Sequence, residues 1–250
     1  ATIVDADFTN VTGIEQLSSG NNAFTLVTLG TLSNASGLPK IVTGTSNDAI
    51  TVGAAHTNDL TISLSTGTDT INASASTGKL VVTSLDSSLT NADTLTGGSG
   101  LSDELEITTA AGADTMALAL MTGFEKITYK NSLGNSTYTT VDASVGAGKT
   151  LTIDATAMTA NAFVFDGALE SDGTFVVKQD GTTAQSTTLG QGNDELTVSG
   201  AGTGVQTVIA TGGNNTITTV GGNDLITLGT GADNITAAAG DDTVSTTSNN

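Results

Sequence analysis

Apolar residues recur at every ninth position in the C-terminal fifth of the chain. Ile217, Ile226, Ile235 and Val244 occupy the same place in four successive nine-residue units. A glycine stands four residues before each of them, and an acid or its amide stands two residues before. One such unit cannot bury its apolar side chain, whereas stacked copies bury a continuous row of them. The pattern therefore predicts short strands and tight turns wound into an elongated, all-β solenoid.

Two units are expected to form one coil, so that residues 18 apart stack directly. Asn215 then lies over Asp233, and Asp224 over Asp242, with about 4.8 Å between rungs as in any sheet. Two carboxylates about 5 Å apart repel each other by roughly 3 kcal/mol at an effective dielectric constant of about 20. Turn carbonyls and stacked carboxylates together offer an all-oxygen site, which suits Ca²⁺. The open alternative is a calcium-free solenoid in which these side chains only stabilise turns.

The segment GGNDLITLGTGADNITAAAGDDTVS, residues 221–245, resembles the RTX nonapeptide repeat, G-G-x-G-x-D-x-U-x with U apolar. The resemblance covers roughly residues 190–246 and implies a parallel β-roll that binds calcium in its turns. The first glycine pair of the motif is mostly replaced, by Thr219-Val220, Leu228-Gly229 and Ala237-Ala238. The candidate metal-site residues are Asp224, Asp233, Asp242, Asn215, Asp194, Asp241, Gly222, Gly231 and Gly240.

The upstream chain carries looser versions of the same pattern. An aspartate precedes a short run of alternating apolar residues at intervals of 11 and 10 residues, as at Asp48, Asp59 and Asp69. We interpret these runs as irregular coils and their aspartates mainly as turn formers. We expect residues 1–189 to form an irregular Thr-rich β-solenoid with two related blocks, about 8–72 and 114–189. Residues 190–250 are expected to form the RTX-like β-roll.

Two longer segments that lie 110 residues apart have similar sequences. Gly13 and Glu15 correspond to Gly123 and Glu125. Blocks of this kind resemble bacterial surface-layer proteins and large RTX adhesins. That resemblance implies a calcium-dependent, extracellular structural protein exported by type I secretion. We interpret both glutamates as solvated carboxylates at strand ends.

Charge narrows the range of partners. The formal net charge is -19, from 25 acidic residues and 6 lysines, with no arginine. Such a chain repels nucleic-acid phosphates and anionic membrane surfaces and attracts cations. No run of 18 apolar residues is present, so we expect no membrane insertion. With no cysteine there is no disulfide, and bound metal is one remaining route to extracellular stability.

Enzymatic chemistry has little support in this sequence. The stretch ASVGAGKT, residues 143–150, looks like a phosphate-binding loop, but the alternation that follows it predicts a strand where that motif needs a helix. We therefore expect no nucleotide. His56, the single histidine, reads as a solvated turn residue. Adjacent carboxylates such as Asp103-Glu104 and Asp241-Asp242 lack the stacking aromatics of sugar-binding sites. We expect no enzyme.

The sequence thus favours a structural protein of the bacterial cell surface, a secreted subunit of a calcium-dependent surface layer or filament that self-assembles. Its main partner would be further copies of itself, with cell-surface polysaccharide as another candidate. A different function class remains open, the stalk or ligand-binding module of an RTX adhesin for a glycan, a host surface or ice. A polysaccharide-active β-helix enzyme is a third alternative. Because the chain begins at Ala1, we expect a processed chain or a part of a longer protein.

Overall fold

The protein folds as a β-solenoid. The computed structural model describes residues 1–20, 22–100, 102–117 and 120–247. Parallel strands stack into about 11 turns with almost no helix, which confirms the predicted fold class. Helical structure in the described residues consists of one short α-helix, α1 (Thr31–Ser36), and three single 3-10 turns, Asp5–Phe8, Asp86–Ser88 and Asp142–Ser144. None of the described helices is long and apolar enough to cross a membrane.

The strands are short, as expected for a chain rich in Thr, Gly and Asn. The first twelve are β1 (Thr2–Ile3), β2 (Leu17–Ser18), β3 (Leu26–Leu29), β4 (Lys40–Val42), β5 (Ala49–Val52), β6 (Leu60–Ser63), β7 (Thr70–Asn72), β8 (Leu80–Leu85), β9 (Thr94–Thr96), β10 (Glu104–Thr108), β11 (Ala113–Ala117) and β12 (Met121–Thr122). The remaining strands are β13 (Lys126–Tyr129), β14 (Asn135–Thr139), β15 (Thr150–Ala155), β16 (Phe163–Asp166), β17 (Thr174–Asp180), β18 (Gln185–Leu189), β19 (Glu195–Ser199), β20 (Gln206–Ala210), β21 (Thr216–Thr218), β22 (Leu225–Leu228), β23 (Asn234–Thr236) and β24 (Thr243–Thr246).

The chain divides into two compact units. The first comprises residues 1–107 and 120–126, and the second comprises residues 108–119 and 127–250. The boundary predicted from the repeat pattern, between residues 189 and 190, lies inside the second unit and stays a prediction.

Successive strands of the first unit alternate between two parallel sheets. One sheet has the order β1-β3-β5-β7-β9-β12, and the other contains β2, β4, β6, β8 and β10 in that order. Register places apolar side chains over one another, with Val27 beside Ile50 and Ile50 beside Ile71. These side chains are buried, so each short strand gains a core only from its neighbours in the stack.

The second unit repeats this arrangement, and its coils contain fewer residues towards its C-terminal end. One of its sheets runs β13-β15-β17-β19-β21-β23, and the other runs β11-β14-β16-β18-β20-β22-β24. In the last coils Ile217 pairs with Ile235, and Ile226 pairs with Val244, which is the predicted register of two nine-residue units. The sequence pattern thus determined both the strand direction and the alignment of this segment.

Large side chains concentrate near the beginning of the second unit. Phe165 packs edge-to-face on Phe175 with 4.9 Å between ring centroids, and Tyr129 packs similarly on Phe163 at 4.8 Å. All four rings are buried. Towards the C-terminal end the apolar core consists of Leu, Val, Ile and Ala210, with no aromatic ring. Aromatic packing adds stability beyond the area that it buries, so we expect the first coils of this unit to be the more stable ones.

Candidate metal-binding ladder

The predicted stacking of the motif residues is present. The backbone N–H of Asn215 donates to Oδ1 of Asp233 at 2.9 Å. On the other sheet, the N–H of Asp224 donates to Oδ1 of Asp242 at the same distance. Each acidic side chain therefore reaches back one coil and accepts the N–H at the start of the strand below it. We call this series of side-chain bonds the aspartate ladder.

The ladder continues upstream beyond the regular repeats. Asp194 Oδ1 accepts the N–H of Phe175 at 2.7 Å, and Asp224 Oδ1 accepts the N–H of Gln206 at 2.8 Å. Asp194, Asn215 and Asp224 are buried, whereas Asp233 and Asp242, in the last coil, are partly exposed. The first role of the motif acid is thus structural, because it satisfies a backbone donor that the turn leaves without a partner.

The second carboxylate oxygens differ from the first. Oδ2 of Asp194 and Oδ2 of Asp224 are buried and make no hydrogen bond. Burial raises the pKa of Asp194 and the charge of Glu170 raises it further, against the lowering effect of the Phe175 and Gly190 N–H groups. A buried carboxylate oxygen without a donor is costly unless a proton or a cation accompanies it. Each of these oxygens therefore needs either a proton or a cation beside it.

Asn215 satisfies its surroundings in another way. Its side-chain amide donates to the carbonyl oxygens of Gly212 at 2.9 Å and Gly213 at 3.3 Å, and to Oδ1 of Asp233 at 2.9 Å. The amide N–H groups bond turn carbonyls and a carboxylate, which are the oxygens that the sequence predicted as calcium ligands. The Asn215 side chain thus brings N–H donors to this position, where an aspartate would bring only acceptors.

The motif glycines are explained by the close approach of successive turns. Gly222, Gly231 and Gly240 have φ values of 126°, 131° and 142°, which side-chain-bearing residues rarely adopt. A Cβ atom at Gly240 would overlap the carbonyl oxygen of Gly222 one coil below. Asp241, another predicted metal residue, is exposed beside this turn. The glycines therefore allow the stacking itself, and they line the surface where the turns meet.

An outer series of asparagines was missed by the sequence reasoning. Asn214 Oδ1 accepts the N–H of Ala232 at 2.7 Å, and Asn223 Oδ1 accepts the N–H of Asp241 at 2.9 Å. These bonds run towards the following coil, whereas the aspartate ladder runs towards the preceding one. The signal in the sequence is the dipeptide of Asn and then Asp or Asn, as at 47–48, 193–194, 214–215 and 223–224. The same dipeptide at 58–59 is an exception, because the Asn58 amide donates to the carbonyl oxygen of Asn34 instead.

The same ladder is present in the first unit. Asp48 accepts the N–H of Phe24 at 2.5 Å, Asp69 accepts that of Asp48 at 2.9 Å, and Asp93 accepts that of Asp69 at 2.7 Å. All three aspartates are buried. Burial raises the pKa of Asp69 to about 6, and the charges of Asp48 and Asp93 add to the shift, against the N–H of Asp48. Asp48 and Asp69 were predicted mainly as turn formers, and their bonds fit that role.

Of the two echoed glutamates, one differs from its predicted setting. Gly13 and Gly123 have similar φ values, 68° and 72°, so the two segments share a backbone turn. Glu15 is exposed as expected. Glu125, however, accepts the N–H of Asp103 at 2.9 Å through Oε2 and is only partly exposed. The longer glutamate side chain takes the place of an aspartate in the ladder, so its interpretation as a solvated carboxylate was wrong.

His56 also contradicts its predicted setting. The side chain is wholly buried, and its Nδ1 lies 3.3 Å from Oγ of Ser33 on α1. Burial lowers the pKa of His56. Ser33 is wholly buried as well. A turn histidine looks solvated in the sequence because nothing local shows that α1 covers it.

The other candidate chemistries are not assembled. Residues 150–155 form strand β15, so the helix that a phosphate-binding loop requires is missing at this point. Glu104 is held by Lys79 at 3.2 Å and Lys126 at 3.4 Å, while its neighbour Asp103 is buried and accepts the N–H of Leu80. The adjacent carboxylates therefore do not face one another.

In comparisons with known proteins, no protein-family model, no curated protein and no solved structure matches the chain.

Proposed function

We propose that the protein is an extracellular structural subunit that assembles with further copies of itself in the presence of calcium, as part of a bacterial surface layer or filament. The observation that carries this proposal is the aspartate ladder. Oδ2 of Asp194 and Oδ2 of Asp224 are buried without a hydrogen bond, and calcium is a partner that would satisfy them. Each strand is stabilised only by its neighbours in the stack, so calcium bound between the turns would support the whole solenoid.

A second copy of the chain is the partner that we propose. A head-to-tail contact between solenoids builds filaments or lattices. The net charge of -19 opposes such association. Calcium offsets that repulsion, and the partly exposed Asp233 and Asp242 and the exposed Asp241 are accessible to it. Calcium is therefore expected to favour both the coils and the contact.

The test is a calcium titration of chelator-treated protein, followed by light scattering and circular dichroism. We expect large particles to grow together with a gain of β signal. A gain of β signal without growth would support the adhesin module instead. No change at millimolar calcium would rule out the calcium requirement.

A pair of variants tests whether the repeats take part in the contact. Val244→Lys places a charge on a half-exposed apolar residue of the repeats and is expected to abolish particle growth while the β signal is retained. Leu133→Lys is the matched control, because Leu133 is 65% exposed on a loop away from the last coil in sequence. Growth by Val244→Lys equal to that of the control would contradict assembly through β23 and β24.

A further inference from the structure

Three carboxylates outside the predicted motif converge in the second unit. Asp142, in the 3-10 turn before β15, and Glu170 and Asp172, in the loop between β16 and β17, each place one carboxylate oxygen within 4.8 Å of the others. No lysine of the described residues forms an ion pair with any of them. Like charges this close repel one another, and a cation between them offsets that repulsion.

Glu170 is the member that points to a ligand. The residue is wholly buried, although Asp142 and Asp172 on either side of the cluster are exposed. Its Oε1 accepts the N–H groups of Gly173 at 2.8 Å and Asp172 at 3.2 Å. Its Oε2 is buried and makes no hydrogen bond. An acidic side chain that is turned inward with one oxygen unsatisfied requires a positive partner.

The surrounding bonds hold the cluster in place. Oδ1 of Asp142 accepts both the N–H of Ser171 at 3.0 Å and the Ser171 hydroxyl at 2.5 Å. The loop is thereby fixed to the 3-10 turn, and two segments nearly 30 residues apart present their carboxylates to one point. The exposed Asp142 and Asp172 give a cation access from solvent, and the third carboxylate, Glu170, is buried.

We propose that Asp142, Glu170 and Asp172 bind a hard divalent cation, Ca²⁺, that fastens the loop of residues 167–173 to the turn of residues 142–144. Oxygen donors alone and two solvent-exposed positions suit calcium, which completes its coordination with water. The site is independent of the proposed assembly, since none of its residues belongs to the nine-residue repeats. It explains why Glu170 is buried next to Asp194 on the ladder: the cation balances charge that both carboxylates bring into the core.

Hydrogen-exchange mass spectrometry of the full chain tests this site separately from the repeats. Chelator-treated protein is compared with protein in Ca²⁺, at a concentration where light scattering shows no particles. At a calcium concentration of about ten times Kd, exchange in residues 142–149 and 167–173 is expected to slow about tenfold. Exchange in residues 211–246, followed in the same samples, reports on the repeats and therefore on the proposed function.

Variants decide whether the three carboxylates are responsible for the slower exchange in calcium. Glu170→Gln keeps an acceptor for the Gly173 N–H, and Asp142→Asn changes only an exposed side chain. Both are expected to lose the calcium effect in residues 142–149 and 167–173. Glu15→Gln, the charge-matched control at an exposed glutamate, is expected to retain it. An absent effect in the wild type, or an equal effect in the two site variants, would overturn the proposal even if residues 211–246 responded to calcium.

Discussion

The backbone N–H of Asp194 donates a hydrogen bond of 2.9 Å to Oδ1 of Asn215 in the next coil. An amide therefore occupies a rung of the aspartate ladder and accepts the same backbone donor as a carboxylate does. Since the oxygen that accepts the N–H is common to Asp and Asn, the structural role of a rung is separable from its charge.

Replacing Asp224 separates these two roles. Asp224→Ala removes the acceptor of the buried Gln206 N–H and is expected to lower the free energy of unfolding by about 2 kcal/mol. Asp224→Asn keeps that acceptor, so its free energy of unfolding in the presence of chelator is expected to stay near that of the wild type. Urea unfolding of the two variants checks this. Equal losses in both would mean that the carboxylate charge, and not its hydrogen bond, stabilises the turn.

The ladder of the first unit predicts an unusual dependence on pH. The pKa of Asp69 is about 6 in the folded protein and near 3.8 in the unfolded chain, so the folded state binds more protons between these values. Stability is then expected to fall as pH rises from about 4 through 6, by up to roughly 3 kcal/mol. Asp69→Asn keeps an acceptor for the Asp48 N–H and is expected to remove this part of the dependence.

Thermal unfolding at pH values from 4 to 8 is the measurement. Asp59→Asn, at an exposed aspartate of the same unit, is the matched control and is expected to keep the wild-type profile. The Asp69 interpretation fails if Asp69→Asn and the control show the same profile.

His56 acts in the opposite sense. Burial lowers its pKa below the ordinary value of 6.5, so the unfolded chain binds the proton more readily than the folded protein. The stability gained from neutral His56 is present above pH 6.5 and is lost as pH falls through the lowered pKa. Because the chain has one histidine, its NMR titration gives the value directly. A measured pKa at or above 6.5 would contradict the buried, neutral imidazole.

Close stacking of the turns predicts a large effect at the motif glycines. Gly231→Ala would force an unfavourable φ of 131° and would also push a methyl group into the carbonyl oxygen of Gly213. We expect a loss of about 3 kcal/mol or more. Gly112→Ala is the matched control, because its φ is 133° and no atom lies within 4 Å of its added Cβ. Equal losses would show that backbone conformation alone requires glycine.

The sequence predicted those features that depend on a fixed spacing. A period of nine residues determined the parallel register of Ile217 on Ile235 and the stacking of Asp224 on Asp242, because identical coils leave no other alignment that buries the apolar row. The turn glycines were recognised for the same reason, although their cause, the close contact between coils, appears only in three dimensions.

The features that the sequence did not predict arise where coil length varies. Asp142 and Glu170 meet because the intervening coil has its own length, which no repeat specifies. The burial of His56 depends on a helix that starts 25 residues earlier, at Thr31. A repeat pattern in the sequence predicts contacts between residues at a constant separation. Contacts across loops of unequal length can be found only from the three-dimensional path of the chain.

Unequal coil length also has a consequence for how the chain finds its alignment. In the last coils, rungs 18 residues apart are nearly interchangeable, so a slip by one whole coil would recover most ladder bonds. Upstream, the corresponding bonds join residues 24, 21 and 24 positions apart, and a slip there would leave Asp48, Asp69 and Asp93 facing the wrong donors. The irregular coils of the first unit therefore admit one alignment, whereas the uniform repeats of the second admit several.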